Sequence, residues 1–423
     1  MIAALLVGIV ILLFSGTSIF VALGLPSFVS LIFFSDIDPM IIIQRLFGGI
    51  DKFALMSLPF FILAANLMDR GGLSDRILKL SRALVGHIAG GAGLTTQVAC
   101  MFFGALSGSA PATVMAIGKT MYPALINSRF KPSFASGLIA SAGAIALIIP
   151  PSITMIIFGA TTGVSVGKLF MAGLGAGIFY GIIVLTYIYL HAKKNNLLRE
   201  KKASLSELKE AFKSSIGALM VPIIILGGIY SGIFTPTESA AVSVVYALFV
   251  GMFVYKEIDF KDLFYVMRES AVTTSQVLVL IASAQAFGWL LTVGQVPQYV
   301  TTELLVNITS PIIFFMILNV ILLIMGMFMD ATAAIIIMMP IVFPMALQLG
   351  IDPVHLGIVV IANLAIGQFT PPFGLNIYVT STVSKQSMVQ MMPGLMKFLI
   401  INIIALLLIT YIPQISLFLP NLF

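Results

Sequence analysis

Cysteine, histidine, tryptophan and charge are all scarce in this 423-residue chain. A single cysteine, Cys100, excludes an internal disulfide and any thiolate metal cluster. Its apolar surroundings read as those of a small buried hydrophobe. His87, His191 and His355 are scattered without metal-ligand spacing. No HExxH, no Walker A and no Cys–His pairing is present, so no hydrolytic or nucleotide-driven chemistry is indicated. Gly104-Ala-Leu-Ser-Gly108 differs by one residue from a GxSG serine motif, and no histidine is placed to serve it. Charged residues make up 9% of the chain, against about 25% in soluble domains. Such a chain cannot clothe a water-facing surface. A soluble enzyme, a nucleic-acid binder and a disordered scaffold are therefore excluded.

What is abundant is apolar sequence: 60% of residues, with a mean hydropathy of +1.12. The length allows a polytopic bundle of roughly ten to twelve spans of about 20 residues. The N-terminus, MIAALLVGIVILLF, lacks a basic region and a small-residue cleavage site, and reads as a retained span. Other apolar segments, such as 152–163 and 373–383, are too short to cross a core about 30 Å thick. Short segments broken by Gly and Pro point to hairpins and interrupted helices, tolerated at membrane depth only where protein or a cavity satisfies the backbone. The net charge of +6 is a topology signal. His191–Ser215 concentrates seven Lys/Arg against three Glu, which marks it as cytoplasmic. Within it ASLSELKEAF predicts a short helix capped by Ser204 or Ser206, with Glu207 in its first turn.

An internal repeat is the strongest signal. Offset by 221 residues and without a gap, Pro123 falls on Pro344, Pro132 on Pro353 and Pro150-Pro151 on Pro371-Pro372. Ala110, Ala112, Ile145 and Gly173 also meet identical partners. Charge assigns the copies opposite orientations. Arg70, Arg76, Lys79 and Arg82 follow the span 52–68, whereas the counterpart near 290–303 has no Lys or Arg and carries Glu303. Likewise Arg129 and Lys131 become Gly350 and Asp352. Inverted repeats of this kind build secondary transporters.

Two constellations recur in each copy. The first is a polar turn inside an apolar hairpin: GALSGSAPAT at 104–113 and GMFMDATA at 326–333. Ser107, Ser109, Thr113, Asp330 and Thr332 supply oxygens suited to a dehydrated Na⁺, and the helix N-terminus suits a carboxylate. Helix packing through small residues is the competing reading. The second is a Pro-Pro break, in ALIIPPSIT at 146–154 and GQFTPPFGLN at 367–376. Prolines remove backbone donors, freeing the carbonyls of Ala146, Ile149, Gly367 and Thr370 for a cation, with Ser152, Thr154, Thr370 and Asn376 alongside. Asp330 is the ionisable group most deeply set in an apolar run, and is a functional candidate on that ground. Glu238 reads as a helix cap, and Lys119 snorkels or pairs.

At these residues the chain resembles the large membrane subunit of tripartite ATP-independent periplasmic (TRAP) transporters. GALSGSAPATVMAIG, the IPPS break, SGIFTPTESAAVSVVYAL, MFMDATAAIIIMMPI and GQFTPPFGLNIYVT carry the likeness. The resemblance implies an elevator-type, Na⁺-driven importer in the bacterial inner membrane, with two or more coupling ions. It implies a small four-span membrane subunit and a periplasmic substrate-binding protein that delivers an organic acid, of the sialic acid or C4-dicarboxylate kind. Its Na⁺ sites map onto Gly104, Ser107, Ala146 and Ile149, and onto Gly326, Gly367, Thr370 and Phe373. Substrate contacts are then expected from Ser109, Thr113, Ser152, Thr154, Asp330, Thr332 and Asn376. The division expected is scaffold at 1–89 and 166–309, transport domain at 90–165 and 310–385, and a C-terminal span at 386–423. A stand-alone Na⁺/dicarboxylate symporter of the divalent-anion type would show Ser-Asn-Thr hairpin tips, which are lacking. A channel would call for a charged selectivity ring.

Overall fold

The computed structural model describes residues 1–299 and 310–422, so the second-copy counterpart near 290–303, with Glu303, falls partly outside the described residues. Helices and the turns between them make up the described chain. They run α1 (Ile2–Phe14), α2 (Ile19–Phe34), α3 (Met40–Ile50), α4 (Ser57–Arg70), α5 (Leu73–Val85), α6 (Gly91–Ser107), α7 (Ala110–Asn127), α8 (Pro132–Ala144), α9 (Ile153–Thr162) and α10 (Val166–Lys194). After the basic loop come α11 (Leu205–Tyr230), α12 (Pro236–Phe249), α13 (Phe260–Val293), α14 (Val296–Tyr299), α15 (Pro311–Phe328), α16 (Ala331–Gln348), α17 (Pro353–Gly367), α18 (Leu375–Ser384), α19 (Met388–Tyr411) and α20 (Gln414–Leu417).

Among the described residues, eight helices are long and apolar enough to cross a membrane, fewer than the ten to twelve that length alone allows. The difference has a structural cause: much apolar sequence is spent in half-length pieces. α8 and α9 are such halves, parted by one Pro-Pro break, and α17 and α18 are parted by the other. α1 is a half-length piece too. Its 13 residues reach roughly 20 Å at 1.5 Å per residue, so it does not span alone; the chain turns at Gly16 and α2 packs back on it.

The repeat is visible as reciprocal packing. The return limb α7 of the first hairpin packs on α18, and the return limb α16 of the second packs on α9. In the same way α8 packs on α19 and α17 on α10. Each copy thus closes the other, as an inverted repeat requires. α7 and α16 begin 221 residues apart, at Ala110 and Ala331. Register is then lost: α9 begins two residues after Pro151 and α18 three after Pro372. The gapless sequence repeat therefore gains one residue at Phe373–Gly374, where Gly374 takes a φ of +45°.

Around this core, α4 packs on α12 and α13, and α13 also on α2 and α3. The amphipathic α5 lies against α6 and α11, burying Leu73, Ile77, Leu78 and Leu80. The basic side is pinned by Arg70–Asp262, Arg76–Glu257 and Arg82–Glu200 ion pairs of 2.5 to 2.6 Å. Pairs this exposed are each worth about 0–1 kcal/mol. The short helix expected at 203–212 is instead the first part of the 26-residue α11, which continues into the apolar run. Ser204 does cap it, in a capping box with Glu207. Thr235 and Glu238 form a second such box at α12, as expected for Glu238.

Candidate functional site

The first hairpin turns on Gly108. α6 ends at Ser107, Gly108 adopts a left-handed φ of +57°, and the extended Ser109 opens α7. Ser107 and Thr113 share a 2.8 Å hydroxyl–hydroxyl bond, and Thr113 Oγ1 also donates to the Ser109 carbonyl at 2.9 Å. The tip rests on its own break: a Cβ on Gly108 would lie 2.9 Å from the Pro151 carbonyl oxygen. Four residues back, a Cβ on Gly104 would lie 2.8 Å from the Cα of Ala146. The second copy repeats this approach, since a Cβ on Gly326 would lie 2.8 Å from the Cα of Gly367. Glycine at 104 and 326 is thus what lets hairpin backbone touch break backbone. Gly104 meets Ala146 at one crossing, and Gly326 meets Gly367 at the other, where the Thr370 N–H also reaches the Gly367 carbonyl.

Both breaks carry a cis Pro-Pro bond. Pro150 and Pro151 have no N–H to offer the carbonyls of Ala146 and Leu147, four residues earlier. Ser152 Oγ donates to Leu147 at 2.8 Å, and Thr154 Oγ1 reaches it at 3.4 Å. The amides of Ile148 and Ile149 both turn to Ile145. The Ala146 carbonyl is left without its helical donor, as the sequence suggested. In the second break the Asn376 N–H takes the Gln368 carbonyl at 2.8 Å. The Gly367 carbonyl, expected to be free, accepts the Thr370 N–H at 3.1 Å. The chain tightens there to i→i−3 bonds, whereas Ile149 keeps an i→i−4 bond. Gly367 retains one lone pair for a ligand.

The remaining predicted side chains are held more tightly than expected. Ser152, Thr154 and Thr113 are buried and spent on local bonds. Thr370 Oγ1 donates to Ile366 at 2.7 Å, which leaves its lone pairs available. Asp330 caps α16 by accepting the Thr332 N–H at 2.8 Å, while Thr332 itself is buried. Asn376 is fully buried; its Nδ2 donates across the repeat to the Ala140 carbonyl at 3.0 Å, and its Oδ1 is unpartnered among the described residues. Phe373 packs against Phe328 with tilted rings 5.3 Å apart, beside the Gly374 N–H that donates to Met327 at 2.9 Å.

Ser107 and Ser109 open into a cavity of about 230 Å³ whose other wall is α4 and α13, contributing Asn66, Asp69 and Thr273. These three were not singled out from sequence; nothing local marks a helix face that matters only once it meets the hairpin. Gln368 was also missed. It is buried, it reaches Asp330 at 3.4 Å, and so it ties the second tip to the second break. Its place inside GQFTPP was the available signal.

A helical membrane protein of two mutually packed repeats, each with a hairpin set on a broken helix, has the build of a secondary transporter. Residues 6–415 match the model of the family described as "Tripartite ATP-independent periplasmic transporter, DctM component", and the chain belongs to that family of transport permeases. It is 40% identical over 400 residues to the C4-dicarboxylate TRAP transporter large permease protein DctM of Pseudomonas aeruginosa, covering 95% of this chain and 94% of that one. It is 36% identical over 380 residues to the sialic acid TRAP transporter large permease protein SiaM of Vibrio cholerae, covering 90% and 89%. The solved YdaH transporter of Alcanivorax borkumensis shares the fold, with a TM-score of 0.65 at 14% identity over 91% of each chain.

Proposed function

We propose that this chain is the permease of a Na⁺-driven importer of an organic acid, of the C4-dicarboxylate or sialic acid type. A periplasmic binding protein delivers the substrate, a small four-span subunit braces the permease, and the assembly sits in the bacterial inner membrane. Residues 90–165 and 310–385 move as an elevator against the rest, carrying both hairpins and both breaks. The observation that carries this reading is the repeated backbone crossing at Gly104–Ala146 and Gly326–Gly367, each between a polar-tipped hairpin and a Pro-Pro break that withdraws helical donors. Several neutral oxygens at one point suit a lone Na⁺. A carboxylate would be met by hairpin-tip helix N-termini.

The test is uptake into vesicles. With the small subunit and binding protein supplied, an inward Na⁺ gradient should drive accumulation, and replacing Na⁺ by choline should abolish it without any need for nucleotide. Vesicles holding this chain alone, given free substrate, should stay at background. Robust uptake from them would put the stand-alone symporter ahead. Accumulation that persists in choline would remove Na⁺ coupling.

A further inference from the structure

No arginine lies at either hairpin crossing, yet the structure sets one at the outer end of the bundle. α13 begins on the basic, cytoplasmic side, where Asp262 pairs with Arg70, and runs 34 residues to Val293. That length of roughly 50 Å at 1.5 Å per residue puts Trp289 on the opposite, outer side. There Arg45 of α3 lies over the Trp289 ring, its Cζ 5.4 Å from the ring centroid, within the roughly 6 Å of a cation–π contact. Among the described residues Arg45 makes no ion pair and no hydrogen bond. Its guanidinium is held by one face and keeps its donors free. It borders a cavity of about 260 Å³ whose wall includes Gln285 and Thr292 of α13, Thr161 after the first break, and Pro340 of the second hairpin.

The charged residues that line this seam have one sign. Through Thr161 this cavity adjoins a larger one of about 830 Å³, lined also by Lys52 and Lys168. Neither lining includes Asp or Glu. Asp51 follows α3 and precedes Lys52, but borders neither space. The cavity at the first hairpin tip is the reverse: it carries Asp69 and no Lys or Arg. Basic linings of this kind draw an anion to the outer seam. A planar fork with free donors, braced on an aromatic face, is the group that grips a carboxylate through two parallel bonds.

The geometry points to Arg45, braced by Trp289, as a carboxylate-docking site on the outer seam, which takes the acid before it reaches the hairpin crossings. This rests on the proposed import of an organic acid. Trp289 is the chain's single tryptophan, so its fluorescence reports on the site directly. The purified chain is titrated with succinate and, separately, with N-acetylneuraminate, at constant ionic strength set with chloride. A Trp289→Phe protein supplies the background. At least one of the two acids should change the emission saturably. Arg45→Gln should weaken that response tenfold or more, and Arg45→Lys, which keeps charge but loses the fork, should fall between. Gly227→Ala, where a Cβ meets nothing within 4 Å, should leave it in place. A flat response to both acids, an equal response to chloride, or an unchanged titration in Arg45→Gln would each overturn the site. The titration needs no Na⁺ gradient and no binding protein. Absence of Na⁺-driven uptake in the complete system therefore counts against the transport reading alone.

Discussion

Gly326→Ala is the most direct perturbation of the second crossing. The added methyl carbon would stand 2.8 Å from the Cα of Gly367. Ordinary contact is 3.4 to 4 Å, so hairpin and break must separate by roughly 0.6 to 1.2 Å. The obstacle is backbone, and no side-chain rotation relieves it. Overpacking of this kind costs about 1–3 kcal/mol. If the displaced atoms are Na⁺ ligands, the same energy weakens ion binding roughly 5- to 150-fold. Two assays read this: the Na⁺ concentration for half-maximal uptake in vesicles, and the gain in thermal stability that Na⁺ gives the purified protein, which follows binding by mass action. Gly227→Ala is the control, because a Cβ there meets nothing within 4 Å. Gly104→Ala should act like Gly326→Ala, with its Cβ at 2.8 Å from Ala146. A Gly326→Ala protein with unchanged half-saturation and unchanged melting would refute the argument that this crossing forms an ion site.

Thr370→Ala should raise the Na⁺ requirement several-fold while the protein still folds, since the hydroxyl's structural bond is only to its own helix at Ile366; Thr370→Ser should restore wild-type activation. Asn376→Ala deletes the bond that joins the second copy to Ala140 of the first, and should lower stability by about 1 kcal/mol in thermal unfolding. Asn363 Nδ2 donates to Asn319 at 2.6 Å, and Asn319 passes the chain on to Thr410 at 3.3 Å, which links α15, α17 and α19. Asn363→Leu strands Asn319 in the core and should cost about 1–3 kcal/mol; adding Asn319→Leu should recover part of that loss, and a purely additive result would show the pair to be uncoupled.

Composition and pattern alone carried the class, the repeat, the hairpin tips and the breaks. Low charge and long apolar runs force the chain into lipid, because nothing else can satisfy them. Prolines are rare and irreplaceable in what they do to a helix, so their recurrence at 150–151 and 371–372 marks both breaks. Polar letters between apolar limbs marked the hairpin tips, and Ser204 and Glu238 declared their caps through local chemistry alone. Three matters waited for the tertiary structure. Which carbonyls stay free depends on whether the preceding turn tightens, and this separates Ala146 from Gly367 despite identical prolines after them. The added residue at Phe373–Gly374 is invisible to a gapless alignment, because apolar letters match too cheaply to betray a shift of one. Arg45, Trp289, Asn66 and Asp69 lie in unrelated stretches of sequence without a motif among them. They acquire meaning only where α3, α4 and α13 fold against the repeat, because a cavity is a relation between distant surfaces and belongs to no segment of the chain.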